Sequence, residues 1–214
     1  LALVSSTCYY VIGNLQCAQT ITLEYMPLAR KLHMFYRLCG FEIVLSQIAF
    51  QENKFEVAVQ HAKQAQVYAA ITGSVLSQAD VQMELGVQMY GLGKYADSRA
   101  YLIQAQQLFT QCGYSDGQVL SIFNLGILDL DQGNYQAALR CFKQSLDVIK
   151  DKGYARSASV VYLYIGLLQS SLGNSSSAFT YLTQALIDFE KTARWSWAAW
   201  ACANLMSVCA KDQI

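Results

Sequence analysis

Taking every fortieth residue lines up Gly13, Asn53, Gly93, Gly133 and Gly173. Glycine and asparagine best tolerate the left-handed backbone that helix C-termini commonly adopt. A second column holds His33, Gly73, Gly113, Gly153 and Ala193. Two turns in each 40-residue unit imply two helices per unit, so the spacing predicts an all-α array of helix-turn-helix repeats.

The columns between the turns agree. Leu45, Leu85, Leu125, Ile165 and Leu205 form one apolar register. The next position is mostly small: Ser46, Gly86, Gly126, Gly166, then Met206. In the following helix Ala58, Ser98, Ala138 and Ala178 are small, and Ala62, Leu102, Phe142 and Leu182 lie four residues later. Ala65, Ala105, Ser145 and Ala185 follow after three more. Spacings of three and four place these side chains on one helical face. The predicted pairs are 1–12 with 15–31, 35–51 with 54–70, 74–91 with 94–111, 115–131 with 134–151, and 155–171 with 174–191, before a last helix at 195–211. Pro27, the single proline, is expected to bend or shorten the second helix of the first pair, because it lacks an N–H.

The segments LGKYADSRAYLIQA, QGNYQAALRCFKQS and LGNSSSAFTYLTQA carry this turn, small residue and large-small pair, and resemble the tetratricopeptide repeat family. The resemblance is strong over residues 34–193 and weaker over 1–33. The 40-residue period is similar to the longer-helix variety of the mitotic adaptor LGN, kinesin light chain, and Rap- and MalT-type sensors. Where shorter repeats often end the second helix near a proline, this chain has Ala70, Thr110, Lys150 and Glu190. The resemblance implies a right-handed α-solenoid spanning 1–214 as a single repeat domain, with repeats at 1–33, 34–73, 74–113, 114–153 and 154–193 and a terminal helix at 194–214. It also implies that the first helix of each pair lines a concave groove.

Composition narrows the function. Fifteen positive and fifteen negative side chains cancel, so no basic surplus attracts nucleic acid or a membrane surface. The uncharged first 23 residues lack a basic leader and are broken by Ser5, Ser6, Gly13 and Asn14, so they are read as folded protein, and the start at Leu1 as a fragment's. Seven cysteines, odd in number and without a CxxC pair, are read as small buried hydrophobes of a reducing, cytoplasmic compartment. The glycines lie between helices rather than in a phosphate loop, and no metal-ligand spacing occurs. Of the two imidazoles, His33 falls at a turn and His61 on a surface or groove edge, which leaves neither a catalytic setting. Asp129 and Asp131 are expected at a solvated helix end. No catalytic residue, cofactor or metal site is expected.

The resemblance places the groove residues around the small column of each first helix. They are Ile43, Val44 and Gln47; Asp80, Met83, Glu84, Val87 and Tyr90; Phe123, Asn124, Ile127 and Asp131; Leu163, Tyr164 and Leu167; then Trp200 and Asn204. The run FNLG at 123–126 is similar to segments of LGN and kinesin light chain whose asparagine reaches a peptide backbone, and Asn204 repeats it, but Glu84 and Tyr164 interrupt the ladder. An amide suits that role because it donates and accepts together. No Lys or Arg clamp for a terminal carboxylate is present, so a polypeptide with an apolar segment and a basic residue or two is the matching partner. Of 30 charged residues 24 lie between Glu24 and Arg156, and none between Ser157 and Ile187. That charge-poor stretch, followed by Trp195, Trp197 and Trp200, is either an interface or a surface covered by neighbouring sequence. The expected function is a non-enzymatic scaffold or adaptor segment within a multi-protein assembly. The alternative is a sensing domain for a short peptide or small molecule, with an attached effector.

Overall fold

The computed structural model describes residues 1–152 and 155–212. Eleven α-helices occur among them, joined by short turns: α1 (Ala2–Val11), α2 (Leu15–Lys31), α3 (Phe35–Gln51), α4 (Phe55–Thr72), α5 (Val75–Gly91), α6 (Tyr95–Gln111), α7 (Ser115–Asp131), α8 (Tyr135–Lys152), α9 (Ala155–Ser171), α10 (Ser175–Lys191) and α11 (Trp195–Asp212). The predicted helix pairs are recovered to within two residues at each end. Two compact units divide the chain, Leu1–Ser121 and Ile122–Ile214, with the division falling inside α7.

Both turn columns adopt the left-handed backbone that their residue types suggested. At the end of α5, Gly93 has φ 71°, its N–H donates to the Tyr90 carbonyl at 2.9 Å, and Lys94 N–H donates to Met89 at 2.9 Å. Those two bonds satisfy carbonyls that the helix end would otherwise leave without donors. His33, Asn53 and Ala193 take the same conformation with φ of 51°, 58° and 53°. For a residue with a Cβ this costs about 1–2 kcal/mol. Gly153 lies outside the described residues.

The small column is where first and second helices meet. A Cβ built on Gly86 would stand 2.8 Å from Leu102, on Gly126 2.5 Å from Phe142, and on Gly166 2.7 Å from Leu182. Size is complementary across the joint: where the first helix has the larger Ser46, the second has the smaller Ala62, both fully buried. Serine also bonds across it. Ser6 Oγ donates to the Ala18 carbonyl at 3.0 Å, Ser46 Oγ to Ala58 at 2.9 Å, and Ser98 Oγ back to Gly86 at 2.8 Å. Burying each hydroxyl unpaired would cost about 1–3 kcal/mol, so pairing lets the polar residue sit in the core. Met206 holds this position in α11 and is 63% exposed.

Several expectations change. Pro27 lies exposed inside α2, which runs on to Lys31, so the helix is not shortened. Only Cys39 of the seven cysteines is buried; Cys8 and Cys112 are exposed. Asp129 is buried rather than at a solvated end, within 3.9 Å of Cys141 Sγ, while Asp131 is exposed. His61 is half-buried, its Nδ1 2.7 Å from Oε2 of the buried Glu42. Glu42 also lies 4.0 Å from Arg30 and so ties α2, α3 and α4 together.

Candidate partner-binding faces

In the first unit α3 packs against α1 and α5, so the first helices of three pairs are neighbours. Between them opens a cavity of about 240 Å³. Gln47, Asp80, Met83 and Glu84, all anticipated as groove residues, line it, as do Ile43 and Val44. Leu3, Thr7, Tyr36 and Cys39 also line it and were missed. Leu3 and Thr7 lay in the weakest repeat, and Tyr36 and Cys39 stand outside the triplet flanking the small column. Tyr90 is half-buried away from the cavity, its ring 6.1 Å from Tyr95.

Glu84 is buried against α3. Its Oε1 accepts from Gln88 Nε2 at 2.5 Å and lies 2.8 Å from Ser46 Oγ, whose one proton it shares with the Ala58 carbonyl, and its Oε2 accepts from Gln47 Nε2 at 3.1 Å. Burial pushes its carboxyl up from the ordinary range, the three hydrogen bonds pull it down, and the nearby Asp80 charge raises it. Asp80, one turn away, is pushed up to about 6 by burial. Burial, with Asp80 and Glu42 adding, raises the Cys39 thiol to about 12. Gln51 Nε2 donates to the Tyr10 hydroxyl at 2.9 Å, linking α3 to α1.

In the second unit three first helices each contribute one ring to an aromatic row. Phe123 on α7 meets Tyr164 on α9 edge-on at 5.2 Å and 84°, and Tyr164 meets Trp200 on α11 at 6.2 Å and 85°. Phe142 backs the first two, and Trp197 lies 5.7 Å from Trp200. Arg194 stands 5.1 Å over Phe189 and 5.3 Å over Trp197, a cation–π arrangement. Burial raises the Tyr164 hydroxyl, and the Asp131 charge adds to it. Asn124 and Ile127 are half-buried and Trp200 is 42% exposed.

One anticipated residue does different work. Leu163 is fully buried and packs with Ala178, Leu182 and Ala185, so it belongs to the core and not to the face. Its neighbour Tyr164 takes the outward position, as successive residues on a helix must diverge. Asn204 donates its amide to the Trp200 carbonyl of its own helix at 2.8 Å. Among the described residues no three His, Cys, Asp or Glu side chains converge on a metal position. No helix among them is long and apolar enough to cross a membrane.

The tetratricopeptide repeat model matches residues 77–151 and 124–190, together more than half of the chain. This chain belongs to the tetratricopeptide repeat family. No curated protein matches it. Among solved structures, it is similar to a Rap protein complexed with competence and sporulation factor at 17% identity and TM-score 0.70, over 96% of this chain and 62% of that one. The Rap conjugation gene regulator of plasmid pLS20, solved with the Phr* peptide, matches at 15% identity and TM-score 0.80, over 94% and 55%. A signal transduction ATPase with a tetratricopeptide repeat sensor, from Pyrococcus horikoshii, matches at 15% and TM-score 0.78, over 95% and 31%. The chain therefore spans between about a third and two thirds of these proteins, and the likeness is one of fold.

Proposed function

We propose that this tetratricopeptide repeat domain is a non-enzymatic module that holds a partner polypeptide against its first-helix faces. The observation that carries the reading is the line Phe123, Tyr164 and Trp200 on α7, α9 and α11. On those helices Leu125, Ile165 and Ala201 are buried in the core, whereas Phe123 and Tyr164 are half-buried and Trp200 is 42% exposed. Half-exposed aromatic side chains at neighbouring positions are what the centre of a protein interface contains. An apolar polypeptide segment fits them, within an assembly of several proteins.

A peptide-sensing role is the second reading. The observation in its favour is the likeness to the Rap regulator solved with a bound peptide, which supports a short peptide as occupant.

The test is selection from a displayed random-peptide library on the intact chain, followed by affinity measurement of the enriched peptides. Tyr164→Ala and Asn124→Ala should each weaken binding by about 1–3 kcal/mol with helix content unchanged. Lys143→Ala, exposed on α8, should bind as wild type does. If Lys143→Ala loses binding while the other two keep it, the partner uses the second-helix side and the reading fails. A reducing, cytoplasmic setting belongs to the same proposal; titration of unfolded, unreduced protein should then count all seven cysteines as thiols. Five or fewer would place it elsewhere.

A further inference from the structure

The cavity between α1, α3 and α5 combines apolar walls with one carboxylate that nothing neutralises. Leu3, Ile43 and Met83 supply alkyl and thioether surface, and the Tyr36 ring stands among the lining side chains. Asp80 faces the same space from α5. No Lys, Arg or His lines the cavity, and among the described residues no hydrogen bond or cation offsets the burial of Asp80. Glu84 differs, because both of its oxygens are occupied by Ser46, Gln47 and Gln88. Its carboxyl is engaged within the wall by those three side chains.

We propose that this cavity receives a single lysine or arginine side chain from an otherwise apolar peptide segment, with the cationic head against Asp80 and the alkyl stem along Leu3, Ile43 and Met83. The proposal rests on the partner-binding reading above and names the chemistry that its first-unit face selects. Charge complementarity points to a cation, since a half-buried carboxylate without a partner is unfavourable until a positive group approaches. Shape points to one side chain, because about 240 Å³ lies below the size range of drug-sized ligand sites. Long cationic side chains are amphipathic in the way these walls require.

Protonation gives the proposal a second signature. The groups facing Asp80 are Glu84 on its own helix and Cys39 and Tyr36 on α3, while α1 offers Leu3 and Thr7, neither of which titrates. Glu84 is itself held up from the usual carboxylate range, and the Cys39 thiol, near 12, stays neutral below pH 10. With Asp80 titrating near 6, the cavity holds its charge at pH 7.5 and loses most of it at pH 5. Cation binding should fall about tenfold between those values.

The decisive experiment is a titration of the intact chain, followed by carbonyl-detected NMR, with n-butylammonium and n-butylguanidinium as probes and n-pentanol as the neutral match. The cations should shift the signals of Asp80, Ile43 and Met83 saturably and lower the Asp80 pKa, while pentanol should not. Asp80→Asn, which removes a half-buried charge and should fold, should weaken cation binding about tenfold or more. Equal responses to cation and alcohol, or an Asp80→Asn chain that binds cations normally, would overturn the proposal. In the display selection, a basic residue at a fixed position should be enriched by the wild type and lost with Asp80→Asn. Peptides enriched without that residue would leave the partner-binding reading intact and remove this one.

Discussion

The two compact units carry the same joints and different faces. In the first, Gly86 meets Leu102 as Gly126 meets Phe142 and Gly166 meets Leu182 in the second. Outward from those joints the likeness ends. Asp80 and Glu84 in α5 have Val160 and Tyr164 as their counterparts in α9, and Trp200 and Asn204 in α11. One face encloses a cavity with carboxylates at its wall, and the other is a run of touching rings. Repeat proteins hold together through neighbour contacts, so positions that serve the joint repeat while positions that serve recognition are free to differ. The two proposals therefore name two chemistries, a cationic side chain for the first unit and an apolar segment for the second.

The comparison can be broken or sharpened by measurement. The largest effect should come from Phe142→Ala, since that ring is fully buried and touches Phe123, Tyr164 and the Gly126 joint. A loss of about 3–5 kcal/mol is expected in denaturant unfolding. Hydrogen exchange should show the lost protection concentrated after Ile122; equal loss across both units would mean that they open as one body. Next comes Gly126→Leu, which forces side-chain atoms into Phe142 and should cost about 1–3 kcal/mol. An unchanged melting midpoint would remove the shared joint from the account.

Asp80→Asn should act in the opposite direction, and only in the first unit. The folded-state pKa of Asp80 is raised from 3.8 to about 6, so its ionised form is penalised by folding. Stability from this group is full below about pH 4 and is lost as pH rises through 6. The variant should therefore be more stable than wild type by about 1–3 kcal/mol at pH 7.5, a gain that shrinks toward zero at pH 4. A gain independent of pH would show that the carboxylate is not the cause. The smallest effect should be Lys143→Ala, exposed on α8, within about 0.5 kcal/mol of wild type.

Much of the scaffold was legible because it depends on short-range chemistry. A left-handed turn after a helix selects glycine or asparagine, and a tight helix joint selects a small residue, wherever the residue falls in the chain. Even the substitutes obey: His33 and Ala193 occupy the turn columns and adopt positive φ. The faces were legible in part. Asp80 and Met83 line the cavity of the first unit, and the rings of Phe123, Tyr164 and Trp200 adjoin one another in the second. Leu163, in the same column as Met83 and Phe123, is instead fully buried, because it packs against Ala178, Leu182 and Ala185 once the helices stack.

By itself, then, the sequence determined the helices, their turns and the small-against-large joints, all of which follow from contacts within one repeat or between adjacent helices. Tertiary structure decided which polar groups those joints bury and which they leave facing a cavity. Glu84 and Asp80 are both acids on one helix, four residues apart, and nothing in their spacing separates them. One is held by Ser46, Gln47 and Gln88, of which the first two come from a repeat nearly 40 residues away, while the other is left unpaired beside Tyr36 and Leu3. The distinction arises because burial and hydrogen bonding act through space, between side chains that meet only after the helices stack.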